Sequence, residues 1–328
     1  MSARTSRLTD ADRTGGAALR RFFRRVENRF SRTEPREHAY AYLCHLLSQP
    51  VETRAGWEDG RNRLLTTSRW DEDGVRDLVR DTVVEHLGSP EGALVLAEEG
   101  FLKKGRHSAG VEWQHCAASN RTDNYQIGVF LLYADRHGTA SAIDRELLLP
   151  PSWTRGTVRR ERAGVPAEAG ARARDELALA MLDRAFAARV PARWVLADTP
   201  GFGDSARLRA ALEARRTPYV LACAESGHSP RVPLENGFVR WRTPRWGGGS
   251  YVAFLPWTAG HDRLVEAAET GAAAGLALGS ARQEAGLGRY TVRQWRAWYR
   301  HMTLAMFAHA CLTVSRGRTA PGPASRAG

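Results

Sequence analysis

Two stretches carry residue types that could handle a nucleotide: Asp198-Thr199-Pro200-Gly201 and Gly100-Phe101-Leu102-Lys103-Lys104-Gly105. The first has the Asp-x-x-Gly form of a GTPase switch. The second approaches a phosphate-cradling loop, which needs Lys and then Ser or Thr after its second glycine. Here Arg106 and His107 occupy those places, and a strand-like stretch follows where a helix should begin. Nucleotide binding is therefore not expected. His107, His115 and Cys116 are metal-ligating types, but no fourth ligand stands at a suitable spacing, which favours scattered loop residues. Cys44, Cys116, Cys223 and Cys311 are far apart with no C-x-x-C pair, so neither a disulfide framework nor a structural zinc is expected. Cationic side chains gather at Arg20, Arg21, Arg24, Arg25 and Arg29, and again at Lys103 and Lys104. These are the candidates for contact with DNA phosphates, against the plainer reading of the arginines as a solvated helix face.

Whole-chain composition bears on that choice. The 328 residues include 48 Lys+Arg and 36 Asp+Glu, a net charge of +12 that suits an anionic partner. Two of those bases are lysine and 46 are arginine, in a chain also rich in Ala and Gly. Such a skew follows GC-rich coding, and it weakens charge as a functional signal. At 43% apolar and 26% charged the chain reads as globular, which excludes disordered and fibrous classes. No apolar run is long enough to span a membrane, and the basic N-terminus lacks a signal-peptide core, so a cytoplasmic location is expected.

The elements that must position these residues can be read from periodicity. Residues 1–15 are polar and read as loose. The segment 16–90 reads as helical, with Phe22, Phe23, Val26 and Phe30, then Tyr42, Leu43, Leu46 and Leu47, then Val75, Leu78, Val79 and Val83 at helical spacing. From 91 to 225 the period changes. Leu94-Val95-Leu96 reads as a short buried strand before a turn-rich GFLKKGRHS, and 126–135 and 141–150 read as antiparallel neighbours joined by Arg136-His137-Gly138. A helix at 173–188, a strand at 194–198, a helix at 204–215 and a strand at 218–223 form an alternating α/β unit. Residues 226–260, rich in Pro, Gly and Trp, read as a small β insertion. Helices at 262–283 and 291–314 close the core, and 315–328 read as a disordered tail. On the last helix His309, Trp295 and Trp298 read as core residues.

Antiparallel strands, then alternating helices and strands, then a closing helix fit an α/β fold with a ribonuclease-H-like mixed sheet flanked by helices. Cores of this kind hold two divalent metals on carboxylates from the first strand, a later strand and a late helix. The pair sits roughly 3.5–4 Å apart and activates water or a 3′-hydroxyl for in-line attack on a phosphodiester.

Between about Phe30 and Val314 the sequence resembles the DDE-superfamily insertion-sequence transposases, in particular the insertion-sequence-701 type, which is related to the insertion-sequence-4 group and common in actinobacteria. The resemblance rests on Glu34-Pro35-Arg36 with Tyr42-Leu43, on GFLKKG, on Ser108-Ala109-Gly110-Val111, and on Asn124 with QIGVFL. It continues through IDRELLLP with Ser152-Trp153-Thr154, Ala163-Gly164-Val165-Pro166, Ala197-Asp198, and the run GLGRYTVRQWRAWYRHMTLAMFAHACL. It implies Mg²⁺ as cofactor, DNA as partner (element ends or non-specific duplex), a homo-oligomer as an open option, and cut-and-paste transposition chemistry.

The catalytic positions implied by the resemblance depart from its pattern. The first aspartate falls on Ala97, just before Glu98-Glu99-Gly100-Phe101. The second is present as Asp198. The third carboxylate, from Y-x2-R-x3-E-x6-K, falls on Gly275, with Ala268, Gly271 and Arg282 at the accompanying places; a second register, from Tyr290 and Arg293, ends at Ala297. Glu99 shares a strand face with position 97, about 6.6 Å further on, and with Asp198 is the candidate for catalysis and metal binding. Glu266 and Glu284 lie nine residues from Gly275, half a turn out of phase, and Glu269 is displaced by about 120°. Two classes of function follow: a transposase-family protein of DNA transposition with an impaired or inactive centre, or a domesticated descendant serving as a DNA- or partner-binding module or recruited to a new role.

Overall fold

The computed structural model describes residues 10–48, 57–155, 157–245 and 248–317; the side chains of 10–15, 57, 155, 157 and 317 are outside the description. Of the terminal segments read as loose, 1–15 and 315–328, residues 1–9 and 318–328 lie outside the described residues, whereas 10–15 and 315–317 are helical and correct that reading.

Four helices open the chain: α1 (Asp10–Val26), α2 (Thr33–Leu46), α3 (Trp57–Thr66) and α4 (Glu72–Leu87). Helix α1 therefore begins earlier than expected. Its Leu19, Phe22, Phe23 and Val26 recur at one-turn spacing and are all buried. Asp71 caps α4 by accepting a hydrogen bond from the Gly74 N–H at 2.8 Å. These helices pack on the last one, α10 (Trp295–Gly317), whose Trp298, Met302, Met306 and Val314 are buried.

The sheet has nine strands: β1 (Ala93–Leu102), β2 (Glu112–Cys116), β3 (Arg121–Ala134), β4 (Ala140–Leu147), β5 (Trp194–Ala197), β6 (Tyr219–Cys223), β7 (Ser229–Pro233), β8 (Phe238–Pro244) and β9 (Ser250–Pro256). Between them come α5 (Ser152–Arg155), α6 (Thr157–Arg162), α7 (Arg174–Ala187), α8 (Ala206–Ala214) and, after β9, α9 (His261–Glu284). Strand β3 pairs antiparallel with both β4 and β1, while β1, β5 and β6 are parallel to one another. The order β4-β3-β1-β5-β6 is the ribonuclease-H-like arrangement expected from the sequence.

Three local readings change. Strand β1 does not stop at Leu96 but runs to Leu102, paired throughout with β3, so the turn starts at Lys103. His115 and Cys116 lie on β2 and not in a loop, because β2 pairs with the first half of β3 from Glu112↔Tyr125 to Cys116↔Arg121. The segment read as a small β insertion is continuous with the main sheet, since β9 pairs antiparallel with β6. The turn from β3 to β4 falls where expected: Asp135 accepts from the N–H groups of His137 and Thr139, and Gly138 takes a φ of 80°.

Strand β4 buries three consecutive charges, Asp144, Arg145 and Glu146. Arg184 of α7 donates to Asp144 at 2.7 Å and to Glu146 at 2.6 Å. Arg145 donates to Asp73 of α4 and to Thr303 of α10, both at 2.9 Å, and the Tyr299 hydroxyl donates to Glu146. Buried charges persist only when paired in this way. The network fastens the N-terminal helices to the sheet.

Candidate functional site

Parallel pairing of β1 with β5 sets Ala93 opposite Trp194 and Val95 opposite Leu196. Two residues further on, the same register brings Ala97 level with Asp198, just past the end of β5. Side chains alternate along a strand, so 95, 97 and 99 share a face with 196 and 198. Helix α9 crosses that face: a Cβ at Gly271 would lie 3.5 Å from Leu196 Cβ, and Arg282 pairs with Glu99. Gly275 lies one turn beyond Gly271 on the way to Arg282, and a Cβ there would meet nothing within 4 Å. Positions 97, 198 and 275, which are distant in sequence, thus belong to one face of the sheet and the helix that crosses it: Ala97 midway along β1, Asp198 just past the end of β5 and Gly275 in the middle of α9.

The electrostatics at this place are those of ion pairs. Asp198 Oδ1 accepts from Arg245 Nε at 3.1 Å, from Arg245 Nη2 at 2.9 Å and from the Tyr251 hydroxyl at 2.7 Å. Burial, together with the bond to Asp198, pushes the Tyr251 phenol up to about 12. Glu99 is held by Arg282, yet burial outweighs the guanidinium and raises its carboxyl above the usual range. Glu98 points to the other face, where it pairs with Arg174 of α7 and accepts from the Ala117 N–H at 2.7 Å. Glu266 pairs with Arg263, and Glu284 with Arg316, both away from Gly275.

A divalent ion needs clustered anionic oxygens. Position 97 offers a methyl group, position 275 offers no side chain, Asp198 already carries a guanidinium and a hydroxyl, and Glu99 is neutralised by Arg282. Among the described residues no group of three His, Cys, Asp or Glu could hold a metal ion. These residues do not fit a two-metal centre. Arg245 and Tyr251 escaped the sequence reading because their role depends on β9 joining the sheet beside β6, which no local spacing announces.

The remaining candidates fall in two regions. On α1, Arg20 donates to the Tyr40 hydroxyl, Arg25 pairs with Glu85 at 2.6 Å, Arg29 pairs with Asp71 at 3.3 Å, and Arg21 lies over the Phe22 ring. Arg21 and Arg24 face solvent. Lys103 is half-buried with its ammonium 3.5 Å from the Tyr290 ring centre, while Lys104 is exposed. Burial and the nearby Arg282 lower Lys103 to about 8. His107 is exposed, Cys116 is buried, and the turn at 103–110 leads into β2 and not into a helix, which fits no phosphate loop. His309 is a core histidine whose Nδ1 lies 3.3 Å from Ser141 Oγ.

Comparison with known proteins bears on this centre. A family profile described as DDE superfamily endonuclease matches residues 25–227. Among solved structures, a piggyBac transposase synaptic complex with hairpin DNA is similar at 11% identity and a TM-score of 0.42, over 96% of this chain and 67% of that one. No curated protein matches.

Proposed function

The chain belongs to the DDE superfamily of endonucleases, and within it we propose a DNA-binding, transposase-type protein whose strand-cutting centre is silent. The observation that carries this reading is Asp198. It is the one acid of the three expected positions, and its Oδ1 is occupied by Arg245 and Tyr251 beside Ala97. In the superfamily the acids hold Mg²⁺; here the positive charge next to the acid is a guanidinium of the chain itself. Motifs shared with the insertion-sequence-701 type support that subtype. Intact apolar faces around the altered acids favour a maintained protein, hence a domesticated role in DNA binding, over a decaying one. No helix of the described residues is long and apolar enough to cross a membrane.

DNA as partner is supported by the family and by the net charge of +12. The test is the affinity for a duplex measured across a salt series. Affinity should fall by about 10³-fold or more between roughly 50 and 200 mM salt, as counterions released from the phosphates demand. Absence of binding, or binding indifferent to salt, overturns the reading.

A further inference from the structure

Resting on that DNA-binding reading, we propose that the DNA lies on a basic rim made by the turn after β1 and the loop before α10, and not along α1. Trp113 on this rim stacks against an unpaired base. The ligand class is a DNA end that carries a single-stranded segment.

The rim is built, not floppy. Asn124 Nδ2 donates to the carbonyls of Lys103 and Gly105, and the Lys103 N–H donates back to Asn124 O at 3.0 Å. Gln126 holds the Ala109 carbonyl, and the Ala109 N–H donates to Arg293 O at 2.8 Å, which ties the turn to the loop before α10. Arg159 fixes the Arg106 carbonyl at 3.1 Å. Within this frame Lys104, Arg106 and Arg293 stand exposed, and none makes an ion pair with a described residue. Of the acids near this turn, Glu112 is held by Arg159 and Ser152 and Glu99 by Arg282, while Asp123, one residue along β3 from Asn124 and so on the opposite face, accepts from the Asn124 N–H. An unneutralised row of cations is what a phosphate backbone recognises.

Trp113 is the cross-strand partner of Asn124, so it stands beside the same turn, on an edge strand, and is 67% exposed. Leaving most of an indole in water forfeits hydrophobic energy that burial would return. Cations next to an exposed aromatic face form the combination that holds single strands, phosphates on the charges and a base on the ring. The α1 arginines offer less, since Arg20, Arg25 and Arg29 already serve Tyr40, Glu85 and Asp71.

Fluorescence anisotropy on a blunt duplex and on the same duplex with a single-stranded overhang tests this, using wild type, Lys104→Glu with Arg293→Glu, Arg21→Glu with Arg24→Glu, and Trp113→Ala, each checked for fold by circular dichroism. The two charge-reversed pairs change net charge equally, so a difference between them reports location. The rim pair should weaken both DNAs at least about ten-fold and reduce the salt slope by about two, with the α1 pair changing affinity less than about two-fold. Trp113→Ala should weaken the overhang duplex about five-fold or more and leave the blunt duplex unchanged. A loss carried by the α1 pair, or a Trp113→Ala effect that is absent or equal on both DNAs, overturns the rim while leaving DNA binding intact. Failure of the wild type to bind either DNA overturns the DNA-binding reading itself.

Discussion

At Asp198 three hydrogen bonds converge on one carboxylate oxygen, two of them from a single guanidinium. Charge-assisted bonds of this kind are about twice as strong as neutral ones, so the acid is fixed in place and its charge is satisfied from within the chain. A carboxylate so engaged has little to offer a divalent ion that already lacks two of its expected ligands. A second residue-scale consequence concerns the buried histidines. His301 accepts from the Tyr42 hydroxyl at Nδ1 and donates from Nε2 to the Leu287 carbonyl, and burial lowers both His301 and His309 to about 4. A histidine with a folded pKa below its unfolded value of about 6.5 binds fewer protons when folded. Stability is then full above about 6.5 and falls as the pH drops toward 4. Urea unfolding at pH 7 and pH 5 should show a loss approaching about 2 kcal/mol per histidine, and His309→Gln should flatten the dependence. Equal stability at the two values, with wild type and variant alike, would contradict the assignment of neutral core histidines. Asp198 was legible in sequence as an acid closing an apolar strand, and Glu99 through strand alternation. Arg245 and Tyr251 were not, because they lie 47 and 53 residues from Asp198 and no local spacing names them; only the sheet order does.

Among the elements, α9 shows how the site is assembled. Small residues let the helix lie close to the sheet, with Gly271 over Leu196, and Gly275 faces open space at the next turn. Glycine in a helix interior costs about 0.5–1 kcal/mol relative to alanine. Since a Cβ at Gly275 meets nothing and its φ is not positive, Gly275→Ala should stabilise the fold by about that amount, seen as a higher urea midpoint at constant slope. Destabilisation would mean that the space beside Gly275 is filled. The helices were legible because their apolar periodicities are clean, and the antiparallel pair because two apolar runs flank the turn signal Arg136-His137-Gly138. The length of β1 was not. Its first six residues are buried on both faces, which erases the alternation, and the polar Glu98 and Glu99 look like the onset of a turn until the pairing with β3 is known.

Across the whole molecule, the ribonuclease-H-like sheet order is kept, the centre proposed to be silent is built of ion pairs, and the excess of arginine serves two different ends. Some arginines are consumed inside the structure: Arg145 of β4 pairs with Asp73 of α4, Arg184 of α7 with Asp144 and Glu146 of β4, and Arg300 of α10 with Glu72 of α4, which ties helices to the sheet and to one another. Others, at Arg106 and Arg293, remain on the surface with their charge unspent. Net charge read from the sequence could not separate these roles, because pairing is a property of the folded chain. The central claim, a centre that no longer cuts, is tested most directly by incubating a supercoiled plasmid with wild type and with Asp198→Ala in the presence of Mg²⁺ or Mn²⁺. The account predicts negligible nicking or linearisation by either protein. Robust cleavage by wild type that disappears in Asp198→Ala would contradict it.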